Sequence, residues 1–149
     1  PNLNHVTEIK LVYKHKYKIT DRPQIHTSMD CYRVLQSIWD PELIGFLEEF
    51  RILLLNRANR VLGYYDVSTG GVAGTIADQR VIFAAAIKTC SSGVILSHSH
   101  PSGNLQPSSA DIELTKKLQA GGKLLDIQVL DHIIITSEGY LSFADEGMM

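Results

Sequence analysis

The stretch from His98 to Asp111 concentrates this chain's capacity for chemistry: imidazoles at His98 and His100, a hydroxyl at Ser108 and a carboxylate at Asp111. Two neutral imidazoles and one carboxylate form a nitrogen and oxygen donor set. Such a set suits zinc better than magnesium or calcium, whose sites are dominated by oxygen. Three protein ligands leave a fourth tetrahedral position for water, the mark of catalytic rather than structural zinc. Zinc lowers the pKa of such water to about 7, so hydrolysis at neutral pH is the chemistry these residues suggest.

Hydrolysis also needs a base for the water's proton and a donor for the oxyanion that forms at an attacked carbonyl. Ser108 could turn its hydroxyl to that oxyanion. The same oxygen can instead cap a helix, because Ser108-x-x-Asp111 resembles a capping box, which stabilises a helix by about 1 kcal/mol without any chemistry. Capping would account for Ser108 and Asp111 but not for the paired histidines. The base has two candidates, Glu48 and Glu49, at the mouth of an apolar strand. Alternation points them to opposite faces, so at most one can serve.

The elements that must hold these groups follow from pattern. Residues 93–97 are a branched apolar run leading straight into His98, as a buried strand does, and on a strand His98 and His100 share a face. Pro101 and Gly103 predict its end. A helix is expected from Ser108, with Ile112, Leu114, Thr115 and Leu118 at helical spacing and Gly121-Gly122 as its stop. Upstream, Val6, Ile9, Leu11 and Tyr13 suggest an early strand, and residues 28–39 a helix ended by Asp40-Pro41. Residues 51–55 and 61–67 read as a hairpin. Gly70, Gly71 and Gly74 form a loop lacking the lysine of a phosphate-binding loop. Asp78 is expected to cap a helix through Cys90, with Arg80 exposed, before strands over residues 127–135 and 141–143. The sum is an α/β fold: a single-domain α-β-α sandwich around a mixed sheet, with the site at one strand end.

At 149 residues and 44% hydrophobic content the chain is long enough for one core and too short for two ordinary domains. Residues 1–40 read as an N-terminal strand and helix extension, and 41–149 as the domain proper. A net charge of -2 and a pI near 6.3 argue against a strongly basic surface and tight autonomous DNA binding. Cys31 and Cys90 are far apart with no Cys-x-x-Cys, which suggests neither a disulfide framework nor a second zinc site and fits the cytoplasm. No apolar run reaches the roughly 20 residues that span a bilayer, and the start carries no signal pattern. That start is Pro1 rather than Met, as in a fragment or a processed chain.

Tyr13-Lys-His-Lys-Tyr-Lys18 interleaves aromatics and cations, compatible with single-stranded nucleic acid, although an edge strand guarded by lysines is the favoured reading. Asp131-His132 could orient a metal-bound histidine, yet adjacent strand residues face opposite ways, so at least one of them is structural. His5, His15 and His26 have no partners at ligand spacing and read as surface residues.

The constellation resembles the JAMM (MPN-type) metalloprotease motif: an upstream Glu, His-Ser/Thr-His, seven residues, Ser, two residues, Asp. Within that superfamily it is most similar to the bacterial RadC-like proteins. Their His-x-His-Pro-Ser-Gly, Pro-Ser-x-x-Asp and Leu-Asp-His-Ile runs stand here at 98–103, 107–111 and 130–133, with Tyr140-Leu-Ser-Phe143 in place of the closing strand. The likeness covers positions 45–147. It implies a JAB/MPN (cytidine-deaminase-like) fold, with Zn2+ held by His98, His100 and Asp111 and Ser108 as oxyanion donor. It also selects Glu48 as general base, because in RadC-like chains the glutamate stands two residues before a Phe, here Phe50. Serine at position 99 is nearer the protease pattern than the asparagine common among RadC-like chains. Residues 1–40 show no likeness to the helix-hairpin-helix segment that often precedes this domain, so its DNA-binding role does not carry over. The function implied is a zinc-dependent metallohydrolase cleaving a peptide or isopeptide bond in a protein substrate. The alternative is a DNA-repair-associated binding module with a structural or vestigial metal site, or a nuclease whose activated water attacks phosphorus.

Overall fold

β1 (Glu49–Leu55) and β2 (Val61–Thr69) are antiparallel neighbours joined by a tight turn. Asn59 takes φ 60° there, and the Asn56 side chain accepts hydrogen bonds from the N–H groups of Ala58 and Arg60. Asparagine tolerates the left-handed conformation and bonds its own backbone, so the chain turns without a glycine. β3 (Gly93–Ser99) lies antiparallel to β1 on its other side. β4 (Gln128–Ile135) runs parallel to β3, and the short β5 (Tyr140–Ser142) antiparallel to β4. In the computed structural model, which describes residues 1–70 and 77–149, these strands form one five-stranded sheet in the order β2-β1-β3-β4-β5. The parallel step from β3 to β4 needs a crossover, supplied by α3 (Ser109–Leu124).

Alternation sorts the strand residues onto two faces. Leu53, Leu55, Ile95, Ile133 and Ile135 pack on one side against Cys31, Leu35 and Trp39, brought by α1 (Ser28–Ile38) and its C-cap. Ile52, Leu54, Val94, Leu96 and Val129 pack on the other against Ile82 and Ala86 of α2 (Gln79–Lys88) and Leu118 of α3. This is the layered α/β arrangement that the order of elements predicts, with α1 part of the core.

β3 and β4 pair Val94 with Val129 and then Ile95 with Asp131, so β4 carries one extra residue, Leu130. Strict alternation from Val129 would aim Asp131 at the α2 and α3 side. The extra residue reverses the pair: His132, opposite Leu96, takes that side, and Asp131 shares the α1 side with Ile133.

Three sequence expectations fail. No strand forms at Val6, Ile9, Leu11 and Tyr13, nor are residues 13–18 an edge strand. Leu3, Val6, Ile9 and Leu11 are 70–92% exposed. A period-two pattern becomes a strand only where a sheet edge accepts its backbone. Here the segment is fastened instead by the Tyr13 hydroxyl donating to the Leu62 carbonyl and by Arg22 donating to the Tyr17 carbonyl. Nor does Gly121-Gly122 stop α3, which continues to Leu124. Gly122 permits close approach, since a Cβ there would stand 2.3 Å from the Ile127 carbonyl oxygen. The chain turns two residues after Leu124, where Asp126 takes φ 54° and the Ile127 N–H bonds the Gly122 carbonyl at 2.8 Å. Of the expected glycine loop, Gly70 donates its N–H to the Glu48 carbonyl, and Gly71 and Gly74 lie outside the described residues. Among the described residues no helix is long and apolar enough to cross a membrane.

Candidate metal centre

β3 ends at Ser99, where Pro101 and Gly103, at φ 82°, lead the chain away, so His98 and His100 stand at the mouth of the central strand. Phe50 of β1 pairs with His98, which puts Glu48, two residues earlier, on the face of both imidazoles. Donor atoms of Glu48, His98 and His100 all lie within 4.8 Å of one another. Glu49 faces the other way and binds Arg51 at 3.0 Å. Asp111 arrives from the first turn of α3, its Oδ2 lying 3.4 Å from His98 Nε2 and 3.7 Å from His100 Nε2. The two Nε2 atoms are 2.8 Å apart. Tetrahedral zinc with bonds of about 2.0 Å separates its donors by about 3.3 Å. The two imidazoles and Asp111 therefore fit zinc with adjustments of about 0.5 Å or less.

Ser108 caps α3 reciprocally: its Oγ accepts from the Asp111 N–H at 3.1 Å while Asp111 Oδ2 accepts from the Ser108 N–H at 2.9 Å. The two uses weighed for this serine are compatible. Capping occupies a lone pair, and the hydroxyl hydrogen has no acceptor among the described residues.

Behind the donors the side chains are buried and joined by hydrogen bonds. His98 is 1% exposed, and Ser99 and His132 are fully buried. The Phe50 ring stacks on His98 at 5.9 Å, and Phe143 stacks on His132 at 4.5 Å. His98 Nδ1 lies 2.7 Å from His132 Nε2, and His132 Nδ1 lies 2.6 Å from Thr115 Oγ1. Thr115 also bonds the Asp111 carbonyl at 2.7 Å, and His100 Nδ1 meets the Asn104 carbonyl at 2.6 Å. Ser99 Oγ donates to the Leu47 carbonyl and accepts from the Glu49 N–H, each at 3.0 Å, which pins the backbone on both sides of Glu48. An asparagine amide offers the same donor and acceptor types.

The electrostatics follow from these contacts. Burial pushes the Asp111 carboxyl up, but the His100 and His98 imidazoles, which favour the carboxylate whenever they carry a proton towards it, outweigh burial and hold the group well below the usual carboxylate range. The same contact raises His100, because Asp111 stabilises its protonated form. Desolvation drives His132 well below its ordinary value and keeps it neutral. Asp131 moves the other way, raised by burial, and acts structurally: it accepts from the N–H groups of His132 and Ala144 and from Ser142 Oγ.

Sequence reasoning left His132 open and missed Thr115, which it read only as part of a helical periodicity. One signal was available. Thr115 is four residues after Asp111, and residues so spaced share a helix face.

The sheet, its flanking helices and a potential His/Glu metal cluster at the end of the central strand make up one mixed α/β domain. Residues 25–148 match the family described as RadC-like JAB domain, and the chain belongs to that family. It is 45% identical over 127 residues to a UPF0758 protein of Flavobacterium johnsoniae, covering 84% of this chain and 53% of the relative. A UPF0758 protein of Porphyromonas gingivalis is 44% identical over 103 residues, or 68% of this chain and 45% of its own length. One from Trichodesmium erythraeum is 51% identical over 88 residues, or 59% and 36%. The chain spans about half the length of the curated relatives it matches first.

Proposed function

We propose that this domain is a zinc-dependent hydrolase that cleaves a peptide or isopeptide bond. The observation that carries the reading is the convergence of four donors: Glu48, His98 and His100 within 4.8 Å, and the Asp111 carboxylate 3.4 and 3.7 Å from the two imidazoles. In this reading His98, His100 and Asp111 hold the ion. Zinc bound there would polarise a carbonyl and acidify water. Glu48, which shares the face of both imidazoles, takes the proton of the attacking water and returns it to the leaving amine. Ser108 donates its free hydroxyl hydrogen to the carbonyl oxygen as negative charge develops. The free cysteines, Cys31 buried and Cys90 exposed, favour the reducing cytoplasm as its setting.

Glu48→Gln tests both the roles and the ligand set. The variant should keep about one zinc per chain by elemental analysis. It should lose about 10²–10⁴-fold in turnover against a peptide library screened with zinc-loaded wild type. Loss of zinc would make Glu48 a ligand, and undiminished cleavage would reject it as the base.

A second reading, contact with single-stranded nucleic acid, is favoured by Tyr17, 69% exposed between the exposed Lys16 and Lys18. Salt-dependent binding of oligonucleotides that survives Asp111→Ala would support it, and no binding at low salt would remove it.

A further inference from the structure

Two buried side chains that the proposed hydrolysis does not use, Thr115 and His132, form a line of hydrogen bonds from the Asp111 carbonyl to His98. The direction of each bond can be worked out. A carbonyl oxygen only accepts, so the single hydroxyl hydrogen of Thr115 goes to Asp111 at 2.7 Å. The Thr115 oxygen must then accept from His132, whose Nδ1, 2.6 Å away, carries the hydrogen. A neutral imidazole has one N–H, so His132 Nε2 is a lone pair, and His98 Nδ1 donates to it at 2.7 Å. The hydrogen of His98 therefore sits on the side away from the centre. Its Nε2 meets Asp111 Oδ2 and His100 Nε2 as a bare lone pair.

His100 is ordered in the same way by a different device. The Asn104 carbonyl at 2.6 Å can only accept, so His100 Nδ1 donates and its Nε2 is also a lone pair. Two lone pairs 2.8 Å apart beside a carboxylate oxygen repel one another until a cation lies between them.

We propose that Thr115 and His132 are positioning residues that hold His98 in the tautomer whose Nε2 can bind a metal, an inference that rests on the metal reading above. The line begins on the main chain of Asp111 and ends 3.4 Å from that residue's own carboxylate, so the circuit closes. The same three bonds thus orient an imidazole donor and tether it to the helical turn that carries the acidic donor. Outer partners of this kind set ring orientation and tautomer at metal sites generally, and their loss costs about 10–100-fold in metal affinity.

The test reads tautomers directly, by long-range proton–nitrogen correlation spectra of 15N-labelled imidazoles in metal-free protein above the imidazole titration range. Wild type should show His98, His100 and His132 all protonated on Nδ1. Thr115→Val removes the acceptor of His132 without changing side-chain shape. It should move part of the His98 population to the Nε2–H form and weaken zinc binding by about 10–100-fold in competition with a chromophoric chelator. Thr115→Ser should restore both. A merely structural threonine would change the melting temperature and leave the tautomers alone. His98 found as Nε2–H in wild type, or Thr115→Val binding zinc as tightly as Thr115→Ser, would overturn the proposal. Wild type with the assigned tautomers but no zinc uptake would instead overturn the metal reading, and with it the purpose of the relay; the spectra show which statement failed.

Discussion

α1 and α3 open with the same device and use it for different ends. Thr27 and Asp30 form a reciprocal capping box, as do Ser108 and Asp111. In both, one carboxylate oxygen accepts from the N-cap N–H, at 3.0 Å for Thr27 and 2.9 Å for Ser108. Asp30 adds a second backbone donor, His26, and its carboxyl is lowered chiefly by these backbone bonds. Asp111 has two imidazoles in front of the same oxygen, and it is lowered by side chains against the pull of burial. The local sequence motif thus announces a helix start in both places. What faces the first turn decides whether the acid does anything more.

Substitutions can break the symmetry of the two boxes in measurable ways. The largest effect is expected from Asp111→Asn, which keeps an oxygen for the cap but removes the charge. Zinc content should fall from about one per chain to near none by elemental analysis, while Asp30→Asn leaves it unchanged. Next come the caps. Ser108→Ala and Thr27→Ala should each cost about 1 kcal/mol in urea unfolding. Only Ser108→Ala should also reduce peptide turnover, by about 10²–10³-fold; equal turnover in the two variants would return Ser108 to a capping role alone.

The smallest effect concerns a third acid, Asp131, which neither caps a helix nor faces the imidazoles. Burial raises it despite the bond from Ser142, so the folded carboxyl binds its proton at higher pH than the unfolded one, near 3.8. The stability this supplies is fully present below that value and is lost as pH rises through the folded one. Asp131→Asn lacks this loss. The unfolding free energy of the variant minus that of wild type should therefore rise with pH above about 4 and then level off.

Much of this arrangement can be read from residue order. Alternation along 98–100 and a glutamate two residues before Phe50 put three potential donors on one face as soon as β1 and β3 pair. The parts that escape depend on partners rather than patterns. Val6, Ile9, Leu11 and Tyr13 alternate as a strand does, but no edge takes them up, and periodicity carries no information about edges. Gly122 has the composition of a helix stop and the function of a close approach to Ile127. The division of labour between Asp131 and His132 turns on one extra residue in β4, invisible to any count that assumes regular pairing.

The bulge at Leu130 sets the phase of everything after it in β4. Gly93 leaves it room, since a Cβ there would stand 2.8 Å from Leu130 Cδ1. Straightening the bulge so that Leu130 took its own place in the pairing would rotate an anion into the slot now filled by an uncharged ring. The polarity behind the imidazole cluster is therefore written in an irregularity of strand pairing as much as in the identity of the side chains.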